Sequence, residues 1–393
     1  MPTPELMHDP VRAASELREQ LSSHSRRLGF FMGSGTSMTV GLPGIKKLTL
    51  DVASELSGTN REKYDYLLQD CGPKATVEDV LNKVRLIQEF LGNDGAKQID
   101  NISYSLANEL DTKICGAITK ILAVDPPNGL QPHLMFAQWV RYIRREQPVE
   151  IFTTNYDLLI ERALEETSVP YFDGFVGGVG PFFVQDSVEA DGGEKTRDMY
   201  PPTGWTRLWK VHGSIGWRMN EVAGKKRIIR VLSSPTATKG DLIIHPSRDK
   251  YLDSRKLPFM TYLDHFRKIL SSGECLLVVI GYSFRDEHLN ATIFEALRSN
   301  NRLAVTVLLH ASATPELLSC GEEFRNLSIF SPDVACIGGV HYKWSEPSTS
   351  SVGTEQSLFW DAGKKMFTLG DFTQFATYLS KTLGTTDVRS NIG

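Results

Sequence analysis

LGFFMGSGTSMTVGLPG, Leu28 to Gly44, decides the fold class. The apolar run Leu28–Met32 reads as a buried strand. Gly33 and Gly35 then permit a tight turn and a close approach of backbone to a ligand. A helix starting there would aim its N-terminal N–H groups and positive dipole end at a phosphate. The spacing is not the dinucleotide fingerprint G-x-G-x-x-G, because Met38 stands where the third glycine belongs. On these residues alone, a glycine-rich turn without a ligand reads as well as a phosphate loop.

Working outward, the same strand-turn-helix rhythm recurs. VEIFTTNYDLLIERALEE (149–166) and CLLVVIGYSFRDEHLNATIFEALRS (275–299) each show an apolar run, a polar turn and a helical period. LAVTVLLH (303–310) is a further apolar strand, and DLIIHP (241–246) a shorter one. Repeated units of this kind predict an α/β fold with a parallel sheet covered by helices on both faces.

Residues 9–27 read as a helix, with Asp9 as cap, Pro10 in the first turn, and Ala14, Leu17 and Leu21 on one face. Residues 51–147 are mostly helical in pattern. In TVEDVLNKVRLIQEFLG (76–92), Val77, Val80, Leu81, Val84, Ile87 and Leu91 recur at helical spacing. Thr76 and Asp79 resemble a capping box there, and Gly92 is a stop signal. Further helices are expected within 98–122 and 132–146. Residues 174–206 read as loop, 345–357 as a mobile Ser/Thr/Gly/Pro stretch, and 371–383 as a last amphipathic helix. The expected division is an N-terminal helix (1–27), a sheet domain (28–50 and 131–330), a helical insertion (51–130) and a C-terminal extension (331–393). That extension is a candidate interface, with Trp344, Trp360 and Phe367 open between core and contact surface.

The charge balance, 43 basic against 47 acidic residues, leaves no overall footprint for nucleic acid. The basic run Lys225, Lys226, Arg227 and Arg230 reads as a solvated hairpin face. Cys71, Cys115, Cys275, Cys320 and Cys336 form no C-x-x-C pair, which excludes a four-cysteine zinc ribbon and suggests reduced thiols in the cytoplasm. MPTPELMHDP lacks the basic start and apolar run of a signal peptide, and no stretch reaches 18 uninterrupted apolar residues.

Four short stretches fall at or just beyond expected strand ends: GSGTS (33–37), TTNYD (153–157), KVHGS (210–214) and GYSFRDEH (281–288). In an open α/β sheet, ligands sit outside the carboxyl ends of the strands, so these loops would converge. Asn155 and Asp157 are good helix caps, or alternatively the donor and acceptor that a ribose needs. His212, beside Gly213 and flanked by Trp209 and Trp217, is placed to titrate near neutral pH. His245 and His288 are assigned structural roles. Ser283 with Asp286 can cap the helix after Gly281, and Ser283 can also meet a phosphate or ribose.

In this order the four stretches resemble the sirtuin superfamily, and specifically the bacterial sirtuin-like domain of antiphage defence proteins. GSGTSMTVGLP is similar to the family's Gly-Ala-Gly-x-Ser loop and following Gly-Ile-Pro, here Gly41-Leu42-Pro43. TTNYD matches its Thr-x-Asn-x-Asp motif and KVHGS its His-Gly motif, while GYSFRDEHLN is like the form of the defence branch. The resemblance spans about residues 25–310. It implies a Rossmann-like sheet with NAD+ bound across the switch point. Gly33, Ser34, Gly35, Thr36 and Ser37 would line the pyrophosphate and nearby ribose, with Thr154 beside them. Asn155 and Asp157 would face the nicotinamide ribose, His212 would be the catalytic histidine, and Gly281 and Ser283 would lie under the adenosine side.

Departures from the deacylase pattern point to the reaction. The two C-x-x-C pairs of the zinc module are missing, and a helical insertion stands in its place. The Asp-Phe-Arg expected after Gly-Ile-Pro is Gly44-Ile45-Lys46. The resemblance therefore implies an NAD+ glycohydrolase of abortive infection, without zinc, in which water replaces the acyl oxygen. Asn155 would hold that water, His212 would accept a proton, and Asp157 would orient the ribose. The family implies control through a homo-oligomer and a HerA-type translocase ATPase, with nucleic acid met only through that partner and no membrane involved. The chain itself has no Walker A motif. The alternatives are an NAD-dependent protein deacylase, a non-catalytic NAD- or ADP-ribose-binding scaffold, and, more weakly, a nuclease.

Overall fold

Leu28, Phe30 and Met32 face one side of the first strand and Phe31 faces the other, and this alternation organises the molecule. The computed structural model describes residues 6–92, 97–190, 193, 197–222, 224–231, 241–244, 258–347 and 355–382, with backbone alone at 197, 222 and 241–244. The central sheet contains β1 (Arg27–Met32), β2 (Val149–Thr153), β3 (Tyr171–Phe172), β4 (Thr206–Lys210) and β5 (Cys275–Ile280). It continues through β6 (Leu303–Leu308), β7 (Leu327–Phe330), β8 (Val334–Ile337) and β9 (Val340–Lys343). The order is β9-β8-β7-β6-β5-β1-β2-β4-β3. All pairings from β3 to β7 are parallel, and β8 and β9 add an antiparallel edge.

The six strands β4-β2-β1-β5-β6-β7 stand in the 3-2-1-4-5-6 order of a Rossmann-type sheet. The chain winds outward from β1 through β2 to β4, then returns to β5 on the other side of β1. The direction of winding reverses between β1 and β5, which places a ligand crevice at the carboxyl ends of those strands.

The helices are α1 (Pro10–Ser22), α2 (Ser34–Thr39), α3 (Ile45–Glu55), α4 (Gly58–Asp70), α5 (Val77–Leu91), α6 (Tyr104–Leu122) and α7 (Gln131–Tyr142). They continue with α8 (Leu159–Glu166), α9 (Gln185–Glu189), α10 (Phe259–Ser271), α11 (Glu287–Ser299), α12 (Pro315–Glu323) and α13 (Phe372–Thr382). Helices α1, α7, α8 and α13 cover the Phe30 face. Helices α10, α11 and α12 cover the Phe31 face. Phe30, Phe31 and Met32 are fully buried, and each such side chain contributes about 1.5–3 kcal/mol. No described helix is long and apolar enough to cross a membrane.

Helices α3 to α6 close a separate apolar cluster of their own. α5 forms because Thr76 and Asp79 complete a capping box and the periodic Val77, Val80, Leu81, Val84, Ile87 and Leu91 all point inward. Tyr156 of TTNYD and Ile215, the residue after KVHGS, are buried in that same cluster. The helical block is thereby seated directly over the loops of the sheet.

Four details differ from the sequence expectations. α1 ends at Ser22 rather than 27, because Leu21 is the last apolar residue on its buried face. Residues 98–103 form a minimal antiparallel ribbon within the otherwise helical block. Within 174–206, Phe175–Val176 and Phe182–Phe183 are short strands of a second, five-stranded sheet. Asp241–Ile244 also joins that sheet, antiparallel to Gly213–Val222, rather than adding a parallel strand to the main one. Strands of two residues are too short to show a period. His245 lies outside the described residues, as does 348–354 of the expected mobile stretch.

The hairpin Gly213–Val222/Lys225–Arg230 exposes Lys225, Lys226 and Arg227, while Arg230 is paired with Asp173 at 2.5 Å. Toward the C-terminus, Trp344, Trp360 and Phe367 are core residues, and Trp344 stacks on Phe367 at 4.6 Å. α13 packs against α7, and its Tyr378 hydroxyl donates to the Ala14 carbonyl of α1 at 2.6 Å.

Candidate active site

The crevice floor is made by glycines of two loops. An added Cβ on Gly33 would lie 2.4 Å from the Gly281 carbonyl oxygen, and one on Gly35 would lie 2.6 Å from the Gly281 Cα. Gly281 itself has φ +67°, and a Cβ there would meet the Thr36 nitrogen at 2.7 Å. The Gly33 N–H donates to Ile280 and the Gly35 N–H to Gly281, at 3.0 and 2.9 Å. These glycines bring backbone against backbone across the β1–β5 switch point, and two of their N–H groups are spent there. Ser34 keeps open donors: neither its N–H nor its hydroxyl has a partner among the described residues.

Asn155, just beyond β2, is held by its amide nitrogen. Nδ2 lies 3.1 Å from the Gly33 carbonyl oxygen, 3.0 Å from Thr36 Oγ1 and 2.8 Å from Ser37 Oγ. A carbonyl can only accept, so this contact fixes which end of the carboxamide is nitrogen. The Asn155 side-chain oxygen accepts no hydrogen bond from any described residue. Ser37 in turn donates to Asp157 Oδ2 at 2.6 Å, and Asp157 Oδ1 accepts the Leu159 N–H at 3.1 Å. Asp157 is 6% exposed. Its carboxylate thus starts α8 and orients Ser37, and through Ser37 the amide of Asn155. Thr36 is fully buried, with its hydroxyl donating to the Gly33 carbonyl at 2.9 Å. The Thr154 N–H donates to Met32 at 3.2 Å, next to the end of β1.

A buried cation supports this turn from below. Lys210, the last residue of β4, places Nζ 2.9 Å from Glu161 Oε1 and also donates to the Asp157 carbonyl. Burial raises the Glu161 pKa, and Lys210 opposes that rise. Lys210→Met should destabilise the protein by about 3–5 kcal/mol, since it leaves Glu161 buried without its counter-charge. Glu161 then binds a proton more readily folded than unfolded. The deficit in urea denaturation should therefore shrink toward acidic pH and widen toward neutral pH. Equal deficits at both would argue against this role for the pair.

His212 follows β4 in a turn set by Gly213, whose φ is +93°. The Val211 N–H donates to Thr153 at 3.0 Å, which keeps this turn beside the Asn155 turn. His212 Nε2 lies 2.9 Å from Asp286 Oδ2. A carboxylate only accepts, so Nε2 carries the proton. Asp286 also caps α11, accepting the His288 and Leu289 N–H groups on Oδ1 at 2.9 and 3.0 Å. Burial depresses the His212 pKa, but the Asp286 hydrogen bond and the charges of Glu78 and Asp286 outweigh it, and the net direction is upward.

Reading Asp286 as a cap was possible from sequence; its pairing with a histidine 74 residues earlier was not. Ser283 takes no part in the cap. It is exposed and without a partner among the described residues. Asp286→Asn keeps a capping oxygen and removes the charge. The His212 titration midpoint followed by NMR should then fall. The neutral imidazole would be reached at lower pH, so the alkaline rise of any His212-dependent turnover should move down with it. An unchanged midpoint would refute the pairing.

The four stretches therefore surround one crevice. GSGTS meets TTNYD through Asn155 and Asp157, and meets GYSFRDEH through the glycines. KVHGS meets TTNYD through Val211 and Lys210, and meets GYSFRDEH through His212 and Asp286.

Residues 149–326 match the family model described as SIR2-like domain. The match takes in TTNYD, KVHGS and GYSFRDEH and begins after GSGTS. No curated protein matches the sequence. Among solved structures, the chain is similar to a triple mutant of a Sir2 homologue in complex with 2′-O-acetyl ADP-ribose, at 13% identity and a TM-score of 0.37, covering 76% of this chain and 86% of that one. It is also similar to a Sir2 homologue serine mutant in complex with ADP-ribose, at 14% identity and a TM-score of 0.36, with the same coverage. A Sir2 histidine mutant with a p53 peptide and NAD shares 16% identity at a TM-score of 0.36, over 77% and 88% of the two chains.

Proposed function

We propose that this chain is an NAD+ glycohydrolase that releases nicotinamide and ADP-ribose. The observation that carries the reading is the Asn155 carboxamide. Its nitrogen is anchored at three points, its oxygen has no described partner, and the neighbouring turn bears the His212–Asp286 pair. The SIR2-like match over residues 149–326 supports NAD+ as the substrate.

Nicotinamide on its ribose is cationic. When the C1′–N bond breaks, the electron pair leaves with the ring, which becomes neutral, and positive charge develops at C1′ as in glycoside hydrolysis generally. The Asn155 oxygen holds a water against that centre. Water oxygen bonds to C1′ and loses a proton, which passes to neutral His212 directly or through a ribose hydroxyl. Asp157 acts through Ser37 to keep the Asn155 amide oriented. Ser34 and Ser283 offer donors to the phosphates or riboses on either side of the crevice.

NAD+ depletion in phage defence, a homo-oligomeric state and control by a HerA-type ATPase belong to the same proposal. The test is to incubate the purified protein with NAD+, alone and with such an ATPase, and separate the products. ADP-ribose and nicotinamide in equal amounts support the reading. O-acyl-ADP-ribose formed with an acyl-lysine peptide would replace it with a deacylase.

A further inference from the structure

The first turn of α5 lies against the site. Asp79 closes the capping box by accepting the Thr76 N–H at 2.9 Å. Glu78, beside it, turns to the sheet instead, where its Oε1 accepts the Tyr156 hydroxyl. Tyr156 is 6% exposed, and its ring is buried in the apolar cluster of the helical block. Its backbone carbonyl accepts the Ile215 N–H at 2.9 Å, three residues beyond His212. Its chain neighbours are Asn155 and Asp157, both tied to the α2 loop. One tyrosine thus joins the helical block, the Asn155 turn and the His212 loop.

We propose that Glu78 is a positioning residue of the site, which clamps the Asn155–Asp157 turn against the His212–Ile215 loop by holding the Tyr156 hydroxyl. The helical block is then a working wall of the active site, and any displacement of α5 is felt at Asn155. The catalytic part of this inference rests on the glycohydrolase reading. Electrostatics supports it. Burial, followed by the charge and hydrogen bond of Glu78, holds the Tyr156 pKa well above its ordinary value, so Tyr156 remains a neutral donor. Arg85, also on α5, opposes that shift from the other side. At His212 burial lowers the pKa, while Asp286 from α11 and Glu78 from α5 raise it.

Two substitutions separate the clamp from the charge. Glu78→Gln keeps an acceptor oxygen and removes the charge, and Glu78→Leu removes both. For wild type and both variants, kcat and KM for NAD+ are measured together with the NMR titration of the His212 ring. Glu78→Leu should lower kcat about tenfold or more with KM within about threefold, as expected for misplaced catalytic groups rather than lost binding. Glu78→Gln should recover part of kcat. In both variants the His212 midpoint should fall by about half a unit or more. Tyr156→Phe should repeat the kcat loss of Glu78→Leu. Wild-type kcat in Glu78→Leu together with an unmoved His212 midpoint overturns the proposal. If no form cleaves NAD+, the glycohydrolase reading fails, and the His212 midpoint of Glu78→Gln decides on its own: a fall supports the placement of Glu78, and no change overturns it.

Discussion

Asn155→Ala should lower nicotinamide release by about 10²–10³-fold, the range seen when one oriented polar group is removed from a reacting centre. The carboxamide oxygen proposed to hold the water would be gone. The loss is not one of folding, because Gly33, Thr36 and Ser37 retain one another and Asp157. The stability cost should stay near 1–3 kcal/mol for the acceptors left behind. Asn155→Asp sharpens the test. It restores an oxygen but sets a carboxylate against the Gly33 carbonyl, now 3.1 Å from the amide nitrogen. Two acceptors cannot satisfy each other, so this variant should be as inactive as alanine. His212→Ala should fall by a similar or larger factor, about 10²–10⁴ for a lost general base. Near wild-type turnover in purified Asn155→Ala or His212→Ala would remove these residues from the mechanism.

Gly281→Ala should damage both the fold and the site, because it combines backbone overlap with a left-handed conformation. The new Cβ would stand 2.7 Å from the Thr36 nitrogen and 3.1 Å from the Gly33 carbonyl oxygen, both backbone atoms with no rotamer to yield. It would also hold alanine at φ +67°. Overpacking and left-handed strain each cost about 1–3 kcal/mol. The expected loss is about 2–5 kcal/mol in urea denaturation, together with loss of NAD+ binding as α2 is pushed off the β5 loop. Gly116→Ala is the control. Nothing lies within 4 Å of its Cβ, and it is exposed inside α6, so alanine should stabilise by about 0.5–1 kcal/mol. If Gly281→Ala melts and binds like Gly116→Ala, the glycine contact does not hold the site together.

The centre of the sheet was legible in the sequence because β1, β5 and β6 are continuous apolar runs, whereas TRLWK of β4 and VHYK of β9 are mixed and show no strand pattern. RLGFFM and CLLVVI admit few other readings, and the polar turn after each marks the carboxyl end. The grouping of GSGTS, TTNYD, KVHGS and GYSFRDEH followed from that placement. What local pattern does not carry is the identity of partners far apart in the chain. Asp286 looked like a cap and is one, yet its second oxygen belongs to His212. Glu78 looked like an ordinary acidic residue in a first helical turn and reaches Tyr156 across a domain-like boundary. Lys210 gave no signal at all, since a lysine at the end of a mixed strand declares its role only when Glu161 is seen beside it. Glycine was misleading in a more instructive way. Gly33, Gly35 and Gly281 do mark a close approach of backbone, but the approaching group is another loop of the same chain.

The placement of α13 bears on biosynthesis. This helix, formed by residues 372–382, fills the Phe30 face of the sheet through Phe372, Phe375 and Leu379, and packs against α2, which carries Thr36 and Ser37. During translation the nucleotide crevice would therefore have an unsupported back until Thr382 clears the ribosomal exit tunnel. On the glycohydrolase reading proposed above, a nascent fragment without α13 would present no finished catalytic loop.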